Sequence, residues 1–214
     1  MKFLKILAYK NAGCILIAML LLIPIAANAQ NTPVFDELKS NFEEGRVFTA
    51  AFVHEYNDTF TGEQQVTEGT IWVGKDQYKM RSGNNIMLVD GDVSRVYDSS
   101  KNRVIISDYV EEEDDFAPSR MLQGVDETYS VTEQRRDNQR TTIQLTSDDP
   151  FAIFMQVTIF IDENGLPIRI EAIDQVENEL ITYFRNGNFE PVTSETFQFR
   201  HPEGVERIDL RHGS

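Results

Sequence analysis

Three histidines, His54, His201 and His212, are the side chains best suited to acid–base or metal chemistry in this sequence. No pair of them stands at metal-ligand spacing. A lone histidine on a strand usually has a structural role, and that is the reading for each. No Gly-x-Ser-x-Gly elbow would expose a serine nucleophile, and no glycine-rich loop would cradle a phosphate. The one cysteine, Cys14, lies in the N-terminal leader, which leaves no thiol chemistry for the rest of the chain. Carboxylates are plentiful, but in a strongly acidic protein most of them solvate the surface. The run Glu111 to Asp115 offers oxygens to a hard cation such as calcium. It lacks the alternation and the glycine of a calcium loop and reads as a charged loop. Neither a catalytic residue, a metal site nor a cofactor is expected, so the chain reads as a binding protein and not an enzyme.

The leader explains where such a protein works. Lys2, Lys5 and Lys10 precede an apolar run from Ile15 to Ile25, and Ala27-Asn28-Ala29 is a small-residue cleavage motif followed by Gln30. This is a secretory signal, residues 1–29, with cleavage after Ala29. Its apolar run falls short of the ~20 residues that span a bilayer. Cys14 precedes the apolar run, where a lipidated cysteine would follow it, and is read as part of the leader. The leader holds three of the twenty Lys and Arg and no acid, so the remaining 185 residues carry 17 basic and 35 acidic side chains, a net charge of −18. That balance disfavours nucleic acid and anionic headgroups and favours a soluble monomer. Without disulfides, an exported domain of this size is held by its core. Residues 30–214 are expected to form one domain.

The elements follow from periodicity. Thr32-Pro33 opens a helix in which Val34, Phe35, Leu38 and Phe42 share a face, and Gly45 ends it. The period then switches to two: Phe48, Ala50, Phe52, His54 and Tyr56 alternate with Val47, Thr49, Ala51 and Val53. Further strands are predicted over 65–74, at Tyr78 to Met80, and over 86–89, 93–97, 103–109, 129–135, 140–146, 151–162, 168–176 and 179–185, with Phe197 and Phe199 in a late strand. Asp90-Gly91, Asp137-Asn138 and Glu163-Asn164-Gly165 mark turns. Ten or so short strands without crossover helices make an antiparallel meander. A short helix or ordered loop is expected from Phe116 to Gln123. The fold class is mainly β: one curved antiparallel sheet whose concave apolar face is covered by the first helix and this insertion. So thin a cover can move, and the interior beneath it reads as a hydrophobic cavity with a lid.

Several segments resemble the LolA family, periplasmic carriers of outer-membrane lipoproteins. They are Phe48-Thr49-Ala50-Ala51-Phe52, Glu68 to Val73 around Gly69 and Trp72, Val89-Asp90-Gly91 with Tyr97-Asp98, Ile161 to Pro167, and Phe197-Gln198-Phe199 with Pro202 to Val205. The resemblance implies an unclosed β-barrel with a helical lid. Its cavity would receive lipoprotein acyl chains from an inner-membrane ABC transporter and pass them to an outer-membrane acceptor, LolB or another. It implies no hydrolysis and a place in the periplasm. The chain departs from the family after Trp72, where Gly74-Lys75-Asp76 replaces Arg-Pro and lysine lacks the planar fork proposed to latch the lid. Arg95 stands where a tryptophan is common. The expected cavity and lid residues are Phe48, Phe52, Ile71, Val73, Lys75, Tyr78, Met80, Met87, Met121, Leu122, Phe151 and Phe154, with Trp72 facing outward. Register decides the face of each. The competing reading is a periplasmic sensor or regulatory protein for lipids or lipoproteins on the same fold.

Overall fold

A positive φ of 76° at Gly45 marks the point where helix gives way to strand, as its C-terminal position requires. The structure, a computed structural model, describes residues 31–211 apart from 111–113, 115, 126 and 137–139. The leader, most of the acidic run, the Asp137-Asn138 turn and His212 therefore lie outside the described residues. Helix α1 spans Pro33–Glu43 and buries Phe35, Leu38 and Phe42. Strands β1 (Arg46–Asn57), β2 (Gln64–Val73), β3 (Gln77–Ser82), β4 (Asn85–Asp90), β5 (Val93–Asp98) and β6 (Arg103–Asp108) follow as hairpins. The insertion comes next, as α2 (Ala117–Arg120) running into a 3-10 turn over Met121–Gln123. Then come β7 (Ser130–Arg135), β8 (Thr141–Thr146), β9 (Phe154–Ile161), β10 (Pro167–Asp174), β11 (Glu179–Pro191) and β12 (Glu206–Asp209).

All these strands join one long, curved sheet in the order β12-β6-β5-β4-β3-β2-β1-β11-β10-β9-β8-β7. β1 is central, paired on one side with β2 and on the other with β11. The ends of this order, β12 and β7, are not paired with each other, so the barrel stays unclosed. Two-residue alternation lines up the apolar side chains across it. One row runs Phe189-Phe48-Val73-Tyr78-Val89, and another Thr182-His54 with Ile170, Ile159 and Ile143 beyond. These rows, the inner face of α1 and the insertion form the main core.

Four expectations are corrected by this topology. β11 does not end at Arg185 but continues to Pro191. The strand passes Arg185 through a bulge at Asn186-Gly187, because Thr49 pairs with Asn188 while Ala51 pairs with Arg185. Asn186 takes φ 54°, and a Cβ on Gly187 would stand 2.9 Å from the Phe48 ring, so the strand bends close over the core. The sheet is not wholly antiparallel, since β12 runs parallel to β6. Phe197 and Phe199 lie in turn and irregular structure instead of a strand. Phe199 packs with Val205 on a second, outer cluster of Tyr97, Val104 and Ile106. Finally β9 begins at Phe154, which leaves Phe151 in the preceding turn.

Candidate functional site

The lid is built from the two helical pieces and is held to the sheet by a small number of polar contacts. Thr32 stands at the N-cap of α1, but its side chain caps nothing. The free N–H of Phe35 donates instead to Glu133 Oε1 of β7, at 2.6 Å. A carboxylate from the far edge of the sheet thus satisfies a helix-start donor and faces the positive end of the helix dipole. At the other end of α1, Arg46 donates to Asn41 Oδ1 (2.6 Å) and to the Phe189 carbonyl (2.7 Å). Between these points Phe42 meets Phe189 edge-on, with centroids 5.3 Å apart.

The insertion is tied down by Asp114. Its Oδ2 accepts from the hydroxyls of Tyr78 (2.6 Å) and Tyr109 (2.7 Å), and its Oδ1 accepts from the Phe116 N–H (2.9 Å). Burial raises the Asp114 pKa in spite of these three donors. Burial and the adjacent carboxylate push both tyrosine hydroxyls upward, so they remain donors. The acidic run is therefore not all solvated loop, since one of its members is a buried anchor. Arg120 stacks over Tyr109, its guanidinium 5.1 Å from the ring centroid.

Phe116 then projects onto the sheet, 5.3 Å from the Phe52 ring and 4.5 Å from the His54 imidazole. His54 is 3% exposed, and its Nδ1 lies 2.9 Å from Thr182 Oγ1. Burial lowers its pKa to about 4, so the ring is neutral near pH 7.

Of the residues expected to line the interior, Phe48, Phe52, Ile71, Val73, Tyr78, Met121, Leu122 and Phe154 are buried in one cluster. Met80 and Met87 pack against it, half-buried, and are cross-strand partners. Two placements are corrected. Lys75 is exposed in the β2–β3 turn and does not reach the lid, because the strand ends at Val73 and alternation ends with it. Phe151 is 92% exposed and contributes nothing to the interior. Trp72 faces outward as expected, with Lys79 Nζ 4.5 Å above its ring and donating to the Thr196 carbonyl. The sequence reading missed Asp114, hidden in a run of acids, and Glu133, on a strand whose alternation is only half-buried. It placed His54 on the inner face without a role in the site.

Two clefts open beside this interior. One of about 200 Å³ lies along α1 and is lined by Val34, Leu38, Arg46, Leu166 and Phe189 among others. A wider, more open one of about 470 Å³ lies on the outer side of the sheet, lined by Ala51, Val53, Glu68, Thr70 and Arg185 among others. Gly69 is required at its wall, because a Cβ there would meet the Arg81 carbonyl oxygen at 1.9 Å.

Three solved structures are similar to this chain. An uncharacterized conserved protein from Thermus thermophilus superposes with a TM-score of 0.50 at 12% identity, over 81% of this chain and 98% of its own, and speaks for the fold alone. A LolA superfamily protein from Nitrosomonas europaea gives 0.41 at 9% identity, over 77% and 97%. A putative outer membrane lipoprotein-sorting protein domain from Vibrio parahaemolyticus gives 0.42 at 11% identity, over 76% and 93%. No curated protein matches the sequence. The family model described as outer membrane lipoprotein carrier protein LolA matches residues 43–200, from the end of α1 to the segment that covers the outer cluster, and the chain belongs to that family.

Proposed function

We propose that this protein is a periplasmic carrier that shields lipoprotein acyl chains beneath the lid formed by α1 and the 116–123 insertion. The observation that carries this reading is an apolar sheet face roofed by one short helix and one short insertion, each held by a few polar tethers. A second packed sheet would be a permanent cover, whereas this one has the magnitudes of a removable one. Helix α1 buries three large side chains, each worth ~1.5–3 kcal/mol, so lifting it costs about 5–9 kcal/mol in lost apolar burial. An acyl chain regains ~0.8 kcal/mol per CH₂, so roughly ten methylenes offset the opening. A cargo with two or three chains has surplus enough to bind, and the cost of opening keeps it from binding irreversibly. Met80, Met87 and Met121 in the covered cluster suit an interior that repacks around different chains.

Phe48, Phe52, Ile71, Val73, Tyr78, Met80, Met87, Met121, Leu122 and Phe154 are the proposed contact surface. The cargo would arrive from an inner-membrane ABC transporter and leave to an outer-membrane acceptor, and the carrier would perform no catalysis. No helix among the described residues is long and apolar enough to cross a membrane. The test is native mass spectrometry of the protein, expressed with its own leader and recovered after export, mixed with a triacylated lipoprotein and its non-acylated counterpart. The expected result is a 1:1 complex with the acylated form only. Absence of a complex with either form would overturn the carrier reading.

A further inference from the structure

Among the described residues, three buried side-chain N or O atoms have no hydrogen-bond partner: His54 Nε2, Arg103 Nε and Ser119 Oγ. Arg103 Nε still has Asp98 at ion-pair distance, 3.4 Å. The other two belong to the lid and the face beneath it. Ser119 sits in the insertion, 1% exposed, and His54 lies under Phe116 from the same insertion.

His54 and its partner Thr182 interrupt an otherwise apolar surface. Its row continues through Thr182 into Ile170, Ile159 and Ile143, all 2% exposed or less. The protons can be placed by counting satisfied groups. A neutral imidazole carries one N–H. If that proton sat on Nδ1, the Thr182 hydroxyl would accept it and its own proton would have no acceptor, and the Nε2 lone pair would be unpaired as well. If the Thr182 hydroxyl donates to Nδ1, both of those groups are satisfied and a single group is left over, the Nε2–H donor. A buried donor without an acceptor loses its hydration with nothing in return. The fold therefore holds one uncharged donor in the inner wall, covered by the phenyl ring of Phe116 from the insertion.

We infer that His54 is the polar contact for the cargo inside the cavity, donating Nε2–H to an ester or amide carbonyl at the head of an acyl chain once Phe116 is displaced. The inference rests on the carrier reading and adds the chemical class that the covered interior recognises. Acyl carbonyls are the polar groups that must accompany the methylenes into the interior, and they accept but do not donate. A neutral donor suits them, whereas a cation buried among isoleucines would need a counter-charge. The contact sets where the head of the chain stops and makes the site prefer acyl chains to alkyl chains of equal length.

The test uses two synthetic lipopeptides of one sequence, with an N-terminal cysteine carrying either a dipalmitoylglyceryl diester or the matching diether that lacks carbonyls. Affinities are measured by fluorescence displacement for the full protein and for His54→Leu and His54→Gln. The wild type is expected to bind the diester about fivefold to tenfold more tightly, the worth of one net hydrogen bond. His54→Leu should lose this preference while holding the diether as well as the wild type does, and His54→Gln, which keeps an N–H donor, should recover part of it. Equal affinity of the wild type for both lipopeptides, or an undiminished preference in His54→Leu, overturns the role of His54 and leaves the carrier reading standing. Binding of neither lipopeptide overturns both.

Discussion

His54 and Asp114 titrate in opposite senses, and that gives each a separate signature in stability. The folded His54 refuses a proton that the unfolded chain accepts, because burial lowers its pKa from 6.5 to about 4. Its contribution is complete above 6.5, is lost as pH falls from about 6.5 to about 4, and is constant below that. The loss is on the order of 3 kcal/mol for a ring so deeply buried. Asp114 has a raised pKa, so the fold takes up a proton more readily than the unfolded chain and gains stability on acidification. His54→Gln removes only the first effect. Urea unfolding at pH 7 and pH 4.5 should show the variant losing about 2–3 kcal/mol less than the wild type over that interval. Identical losses would mean that the imidazole is not held neutral by burial.

The lid elements are fastened at identifiable points, so they can be loosened one at a time. Glu133 meets the first turn of α1 through the Phe35 N–H, and the contact spans 98 residues of sequence. Glu133→Ala leaves that donor without its carboxylate and removes a favourable charge from the helix start, together worth about 1–2 kcal/mol. Because the rest of the sheet is untouched, the effect belongs to the helix. Amide hydrogen exchange in α1 should accelerate about fivefold to thirtyfold while β1, β10 and β11 keep their protection. Uniform acceleration would show that α1 does not open on its own. The Asp114 anchor predicts a parallel behaviour for the insertion. Tyr78→Phe and Tyr109→Phe each remove one donor to a buried carboxylate. Their effects on stability, about 1–3 kcal/mol each, should be non-additive, because either tyrosine alone keeps Oδ2 paired. A double-mutant cycle in urea checks this.

The whole molecule is strongly acidic, −15 over the full chain and −18 after the basic leader. Self-repulsion of that size opposes the compact state, and salt screens it, with a Debye length of ~10 Å at 0.1 M. The melting temperature should rise by a few degrees between ~0.01 M and ~0.3 M sodium chloride. A fall would show that the surface ion pairs contribute more than the net repulsion. Among the described residues those pairs are few and mostly exposed or half-exposed, as with Lys39 and Asp36 or Arg169 and Glu171, and such pairs contribute little.

Alternation and turn residues in the sequence were sufficient for most of the sheet but not for β12, because a strand with one buried face must repeat every two residues, and Asp90-Gly91 admits a tight turn. They placed Phe48, Phe52, Ile71, Val73 and Tyr78 on one face, and the amphipathic stripe Phe35-Leu38-Phe42 located the lid helix. They failed where the deciding partner is remote in sequence. The last long strand was expected to end at Arg185, and only its pairing with β1 carries it through a bulge to Pro191. Lys75 and Phe151 have the right neighbours in sequence but fall just beyond a strand end, where alternation no longer fixes direction. Asp114 is one acid among five until the fold sets two tyrosine hydroxyls against it, one 36 residues away. The unpaired nitrogen of His54 is likewise a tertiary fact. Sequence put the ring on the inner face, but Thr182 on β11 and Phe116 in the insertion decide which of its atoms is satisfied and which waits under the lid.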